Sequence, residues 1–177
     1  GGRLARGDHG AVDGGGNASE TIAVTALGDI VFTSQGSTRS YVQLGNGGHD
    51  ANLATSPRGA AANLEVISQT GAIRFNGSAS DQAYAQLGNG GYITLGDHRG
   101  NLLVEAGTDI AFTASQSLTG TTGNAYVQLG HGGRGATGNH SGDIMVRAGT
   151  AGVSGGIQFL GGRASERYAQ LGHGGRS

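Results

Sequence analysis

Five histidines fall in two recurring places. His131 and His173 sit inside the phrase Y-x-Q-L-G-H-G-G, and His9, His98 and His140 follow Gly-Asp or Gly-Asn in the tripeptides 7–9, 96–98 and 138–140. Neutral imidazole is a common ligand for zinc, copper and nickel, so metal binding is the first chemistry to weigh. The pattern argues against it. Asn46 and Asn89 stand where the later copies carry His131 and His173, and Thr55 takes the tripeptide's histidine position in the second unit. A column that exchanges Asn for His reads as hydrogen-bonding turn residues, and Gly-Asp/Asn-His as a corner closed by an Asx side chain. No metal and no cofactor is expected.

Other constellations fail on their own terms. Arg6-Gly7-Asp8 spells a cell-attachment tripeptide, but what recurs is Gly-Asp/Asn-His without the Arg, which favours a structural corner. The stretch GNGGHDANL at 45–53 places Gly45, Gly48 and Asp50 as a calcium-binding nonapeptide would, yet Asn52 occupies the apolar position. The corresponding stretches of other units lack the Asp, so no stack of carboxylate ligands can form. Without any Lys there is no phosphate-loop GK[ST]. The 12 acids recur in no pair suited to glycan cleavage, and no G-x-S-x-G elbow exists. An enzyme is not expected. Net charge is −1 and the 11 basic residues, all Arg, form no run, so nucleic acid has no electrostatic foothold. No apolar stretch is long enough to insert in a membrane.

The residues that do recur belong to an architecture. YVQLGNGG at 41–48 returns as YAQLGNGG at 84–91, YVQLGHGG at 126–133 and YAQLGHGG at 168–175, with tyrosines 43, 42 and 42 residues apart. An I-x-F step precedes each: Ile30–Phe32, Ile73–Phe75, Ile110–Phe112 and Ile157–Phe159. Upstream lie TIAVTA, NLEVIS, NLLVEA and DIMVRA. The extra residues SQSLTGTTGN and AGVSG fall between these anchors and never within them, as loops absorb insertions and strands do not.

Each anchor alternates apolar residues over four to six positions between Gly, Asn, Asp or Ser, which reads as a strand. A weaker fourth strand is expected at Tyr92–Leu95. The spacing predicts an all-β parallel β-solenoid of four units, at about 1–46, 47–89, 90–131 and 132–173, followed by the start of another, as in a segment of a longer array. One coil or two per unit stays open; the tyrosines would lie one strand spacing (about 4.8 Å) or two apart along the axis. A β-propeller is the alternative, with LLVEA-GTD-IAFTA closing as a hairpin. With Leu44, Leu87, Leu129 and Leu171 inward, alternation turns Tyr41, Tyr84, Tyr126, Tyr168 and Gln43, Gln86, Gln128, Gln170 outward as a stripe. That stripe is either a contact surface or tyrosines packing on one another. Asn46, Asn89, His131 and His173 would align as a polar ladder.

The runs GDIMVRAG, GNLLVEAGTDIAF and LGDIVF, with the Y-[AV]-Q-L-G-H-G-G units, resemble the repeat tracts of filamentous-haemagglutinin-like exoproteins, the large adhesins exported by two-partner secretion. The resemblance covers nearly the whole chain with loose motifs. It implies a right-handed β-helix, export through the outer membrane and a place at the bacterial cell surface; the family's secretion domain is missing from this segment. The function expected is a stiff structural or adhesive stalk. Its partners would be host-cell glycans or receptors, or further copies of itself in a filament or sheath. A carbohydrate-active β-helix is a further alternative.

Overall fold

The computed structural model describes residues 20–52, 60–118 and 123–176. Three strands of the first coil are β1 (Thr21–Ala26), β2 (Ile30–Thr33) and β3 (Tyr41–Leu44). The second coil has β4 (Ala60–Ala61), β5 (Asn63–Ser68), β6 (Ile73–Asn76) and β7 (Tyr84–Leu87). The third has β8 (His98–Arg99), β9 (Leu102–Ala106), β10 (Ile110–Thr113) and β11 (Tyr126–Leu129). The fourth has β12 (His140–Ser141), β13 (Ile144–Ala148), β14 (Ile157–Leu160) and β15 (Tyr168–Leu171). All of these elements are strands.

Every strand pairs in parallel with its counterpart one repeat away, giving sheets β1-β5-β9-β13, β2-β6-β10-β14, β3-β7-β11-β15 and β4-β8-β12. The register carries Tyr41 onto Tyr84, Tyr84 onto Tyr126 and Tyr126 onto Tyr168. One repeat is therefore one coil, and the chain is a parallel β-solenoid of four coils. The propeller reading falls, because a blade needs antiparallel neighbours. In LLVEA-GTD-IAFTA the two runs, β9 and β10, belong to different sheets and form no hairpin.

Period-two alternation explains what each strand buries. Leu64 and Val66 of β5, Ile73 and Phe75 of β6, Leu102 and Val104 of β9, and Ile110 and Phe112 of β10 all face one interior with Leu87, Val127 and Leu129. Each such side chain contributes about 2 kcal/mol by leaving water. Phe32, Phe75, Phe112 and Phe159 stack as a column, with centroids 4.3, 4.6 and 4.9 Å apart.

Corner side chains stitch coil to coil. Asp29 Oδ1 accepts the Ala72 N–H at 2.8 Å and its Oδ2 meets Arg74 at 2.6 Å. These bonds, the backbone one first, hold its carboxyl below the usual range. Asn63 and Asn101 do the same for the N–H groups of Asn101 and Asp143, and Asp109 for that of Gly156. The insertion AGVSG lies in the turn before β14, and the described parts of SQSLTGTTGN lie between β10 and β11. Beside the latter, buried Arg167 donates to the carbonyls of Ser117 (2.6 Å) and Ala79 (2.7 Å).

Two local expectations are corrected. Tyr92–Leu95 is a turn with one isolated bridge at Leu95, because Ile93 takes a positive φ of 51° that breaks extended pairing. The fourth strand is instead the Gly-Asp/Asn-His element: His98 and His140 lie in β8 and β12. Asp97 closes no Asx turn there. Its Oδ1 reaches across to the Asn139 N–H of the next coil at 2.9 Å, a bond that leads in lowering its pKa. Arg6-Gly7-Asp8, His9 and Thr55 lie outside the described residues.

Candidate functional site

Ordinary strands of this solenoid bury one face. The Y-x-Q-L strands bury both, since every residue of β7 and β11 is buried. Ala85, Leu87, Val127 and Leu129 point into the apolar core, while Tyr84 and Tyr126 enter a second cluster with Tyr92, flanked by half-buried Tyr41 and Tyr168. The G-x-G-G segment causes this. It turns back over the outer face, so that a Cβ added at Gly91 would lie 2.9 Å from the Tyr84 hydroxyl, and one at Gly133 2.7 Å from that of Tyr126.

The outward Tyr/Gln stripe is thus overturned. Tyr84, Tyr126, Gln86 and Gln128 are each 0% exposed, and Tyr41, Tyr168, Gln43 and Gln170 are only half-buried because they lie on the outer coils. The tyrosine rings stack nearly parallel, 4.8, 4.9 and 5.3 Å apart, so the alternative of tyrosines packing on one another is the one observed. Burial raises the hydroxyl pKa values of Tyr84 and Tyr126 well above 10 and that of Tyr168 to about 12.

Three of the four glutamines join their coil to the next. Gln86 Nε2 donates to the carbonyls of Gly130 (3.2 Å) and Gly132 (3.0 Å), and its Oε1 accepts from the Tyr126 hydroxyl at 3.1 Å. Gln43 repeats this with Gly88, Gly90 and Tyr84 at 3.0, 3.0 and 3.2 Å. A primary amide has two donors and an acceptor, and here all three are used. Gln128 still donates to Gly172 and Gly174, at 3.1 and 2.6 Å, but its Oε1 is left without a partner where the ring spacing has widened. Gln170, on the last coil, turns to carbonyls of its own loop. The glycines permit the approach. A Cβ on Gly88 would stand 1.9 Å from the Gly130 oxygen, so only Gly fits.

The polar ladder forms as expected and shows why Asn and His exchange. The Asn46 N–H donates to Asn89 Oδ1 at 2.9 Å, the Asn89 N–H to His131 Nδ1 at 2.9 Å, and the His131 N–H to His173 Nδ1 at 3.1 Å. On the other side, Asn89 Nδ2 donates to Ala62 and Arg99 carbonyls (2.8 and 2.9 Å), Asn46 Nδ2 to Ala61 (3.2 Å). The ring Nε2 of His131 and of His173 meets the carbonyls of Gly100 (2.6 Å) and Gly142 (2.9 Å) in the same way. An imidazole with its hydrogen on Nε2 offers the acceptor and donor of an amide in the same order. The His131 and His173 rings stack 4.8 Å apart, and burial lowers the His131 pKa to about 4.

A second histidine pair went unread as a pair. His98 and His140 share their Nδ1 atoms at 3.0 Å, below Ala60 in the same register. His98 is 0% exposed, its Nε2 has no partner, and burial lowers its pKa to about 3. Their 42-residue spacing was the available signal. Both ring nitrogens of His131 and of His173 are committed to hydrogen bonds, and among the described residues no three His, Cys, Asp or Glu gather to hold a metal.

Comparison with family models, with curated proteins and with solved structures returns no match.

Proposed function

We propose that this chain is a structural and adhesive repeat segment of an extracellular bacterial surface exoprotein of the filamentous-haemagglutinin-like kind, a stiff spacer that presents surface along its length. The observation that supports this is the unbroken in-register stacking of four coils, in which apolar, tyrosine, glutamine and Asn/His columns run from coil to coil. Each added unit lengthens such a rod by about 4.8 Å. The contact surface lies on outward positions of the first sheet, where Ala23, Glu65, Leu103 and Met145 share one register place and differ in every coil. Its partner is a host-cell glycan or receptor.

The test is retention of the purified chain on a glycan panel and on cultured cells, with the supernatant assayed for new reducing ends. Binding without cleavage is expected; released sugar would overturn the reading in favour of a carbohydrate-active β-helix. A second reading, assembly with further copies, is favoured by apolar side chains at outward positions, Val31 and Met145, which stand 53 and 48% exposed. Ordered fibres in electron micrographs would distinguish it.

A further inference from the structure

The links of the Asn/His ladder differ in one property that their shared geometry hides. The first, Asn46 to Asn89, is made by an amide and cannot titrate in the range where proteins fold. The second and third end on imidazole Nδ1 atoms that must carry a lone pair to accept the N–H groups of Asn89 and His131. A proton added at His131 Nδ1 would point a hydrogen at the Asn89 N–H. Donor would then face donor, and the charge would sit buried against the His173 ring. The His98–His140 pair obeys the same limit. One hydrogen can lie between two Nδ1 atoms 3.0 Å apart, and two cannot.

We propose that the change from Asn to His along this ladder builds an acid-sensitive half into the solenoid: protonation of His131 releases coil three from coil two and protonation of the His98–His140 pair releases coil four from coil three, while the amide link between coils one and two holds.

The surroundings offer the imidazolium forms little help. His131 faces His173 and His140; His98 faces His140, His131 and Asp97; His140 faces His173 and Asp97. Asp97, the one carboxylate among these, is bonded to the Asn139 N–H and to Arg99. The direction follows from linkage. The folded pKa values of His131 (about 4) and His98 (about 3) lie below the ordinary 6.5, so the unfolded chain takes protons first on acidification. The stabilisation is complete above pH 6.5 and is lost as pH falls from there toward 4.

The chain supplies its own controls: in the first two coils Asn46 and Asn89 hold the place taken by His131 and His173, and Ala60 holds that of His98. The experiment compares denaturant unfolding and amide exchange of the whole chain with those of H131N/H173N and H98A/H140A at pH 7.5 and 4.5. Between those pH values the wild-type unfolding constant should rise about a hundredfold through His131 alone. Protection should be lost at the Asn89 and His131 amides before the Asn46 amide, and H131N/H173N should show a correspondingly smaller change. An equal acid response in that variant, or protection lost first at Asn46, would overturn the proposal. A long-range proton–nitrogen spectrum of wild-type imidazoles needs no variant. It should show His131 as a neutral Nε2–H tautomer at pH 7.5, and a doubly protonated His131 at pH 5 with an undiminished Asn89 amide would equally refute it.

Discussion

The apolar core and the polar lobe beside it use one ladder geometry with opposite chemistry. In the core, columns such as Phe32-Phe75-Phe112-Phe159 hold coils together through area removed from water. In the lobe, Tyr84, Gln86, Asn89 and their counterparts bury polar atoms that would be costly unless every one found a partner. Some core columns therefore exchange one aliphatic residue for another, as in Ile22-Leu64-Leu102-Ile144 and Val42-Ala85-Val127-Ala169, while the Val24, Ile30 and Phe32 columns keep one type. The lobe exchanges only where the hydrogen-bonding order is kept: Tyr, Gln and three Gly are the same in all four copies, and the Asn46-Asn89-His131-His173 column swaps an amide for an imidazole with the same acceptor and donor. A hydrophobic contact needs only volume and shape, whereas a glutamine that satisfies two carbonyls and a hydroxyl needs its length and its atoms in order.

Four substitutions sharpen that difference. The largest effect is expected from Gly88→Ala, whose methyl would meet the Gly130 oxygen at 1.9 Å and push coil two off coil three. A loss above about 5 kcal/mol, seen as collapse of the cooperative denaturant transition, is expected. Phe112→Ala leaves a hole in the phenylalanine column and should cost about 4 kcal/mol in the same measurement. Gln86→Leu keeps the volume but strands the Gly130 carbonyl and the Tyr126 hydroxyl in a dry lobe, for about 3 kcal/mol. If it cost no more than Tyr126→Phe, the lobe would be held by packing alone. Tyr126→Phe, which removes the hydroxyl that donates to Gln86 Oε1 and accepts from the Arg134 backbone N–H, should cost about 1 to 2 kcal/mol and leave the fold intact by circular dichroism.

Much of this was legible in the sequence. The I-x-F steps begin where β2, β6, β10 and β14 begin, the alternations begin with β1 and β5 and one residue before β9 and β13, and the insertions lie in the turns. The Asn46-Asn89-His131-His173 column was readable as a ladder from its spacing and its exchange of Asn for His. The Tyr/Gln face was not read correctly, because alternation states which residues share a face and is silent on what covers it. The one clue was variation within the chain: the outward column Ala23-Glu65-Leu103-Met145 changes in every coil, whereas Tyr and Gln never do. The turn at Tyr92–Leu95 was hidden for another reason. An apolar run of four suits a strand, and only the left-handed backbone at Ile93 shows that the chain reverses there.

By itself, the sequence determined the repeat length and three strands of each unit and favoured the parallel stack, because a period of about 42 residues with period-two alternation inside it leaves few ways to bury the apolar faces. The tertiary structure decided that one repeat makes one coil, that the tyrosines and glutamines lie inside, and that the histidine nitrogens accept from the neighbouring backbone. Those outcomes depend on where the G-x-G-G segment comes to rest. Its path is set by contacts between residues a whole coil apart, such as Gln86 with Gly130 and Gly132, which no local pattern encodes.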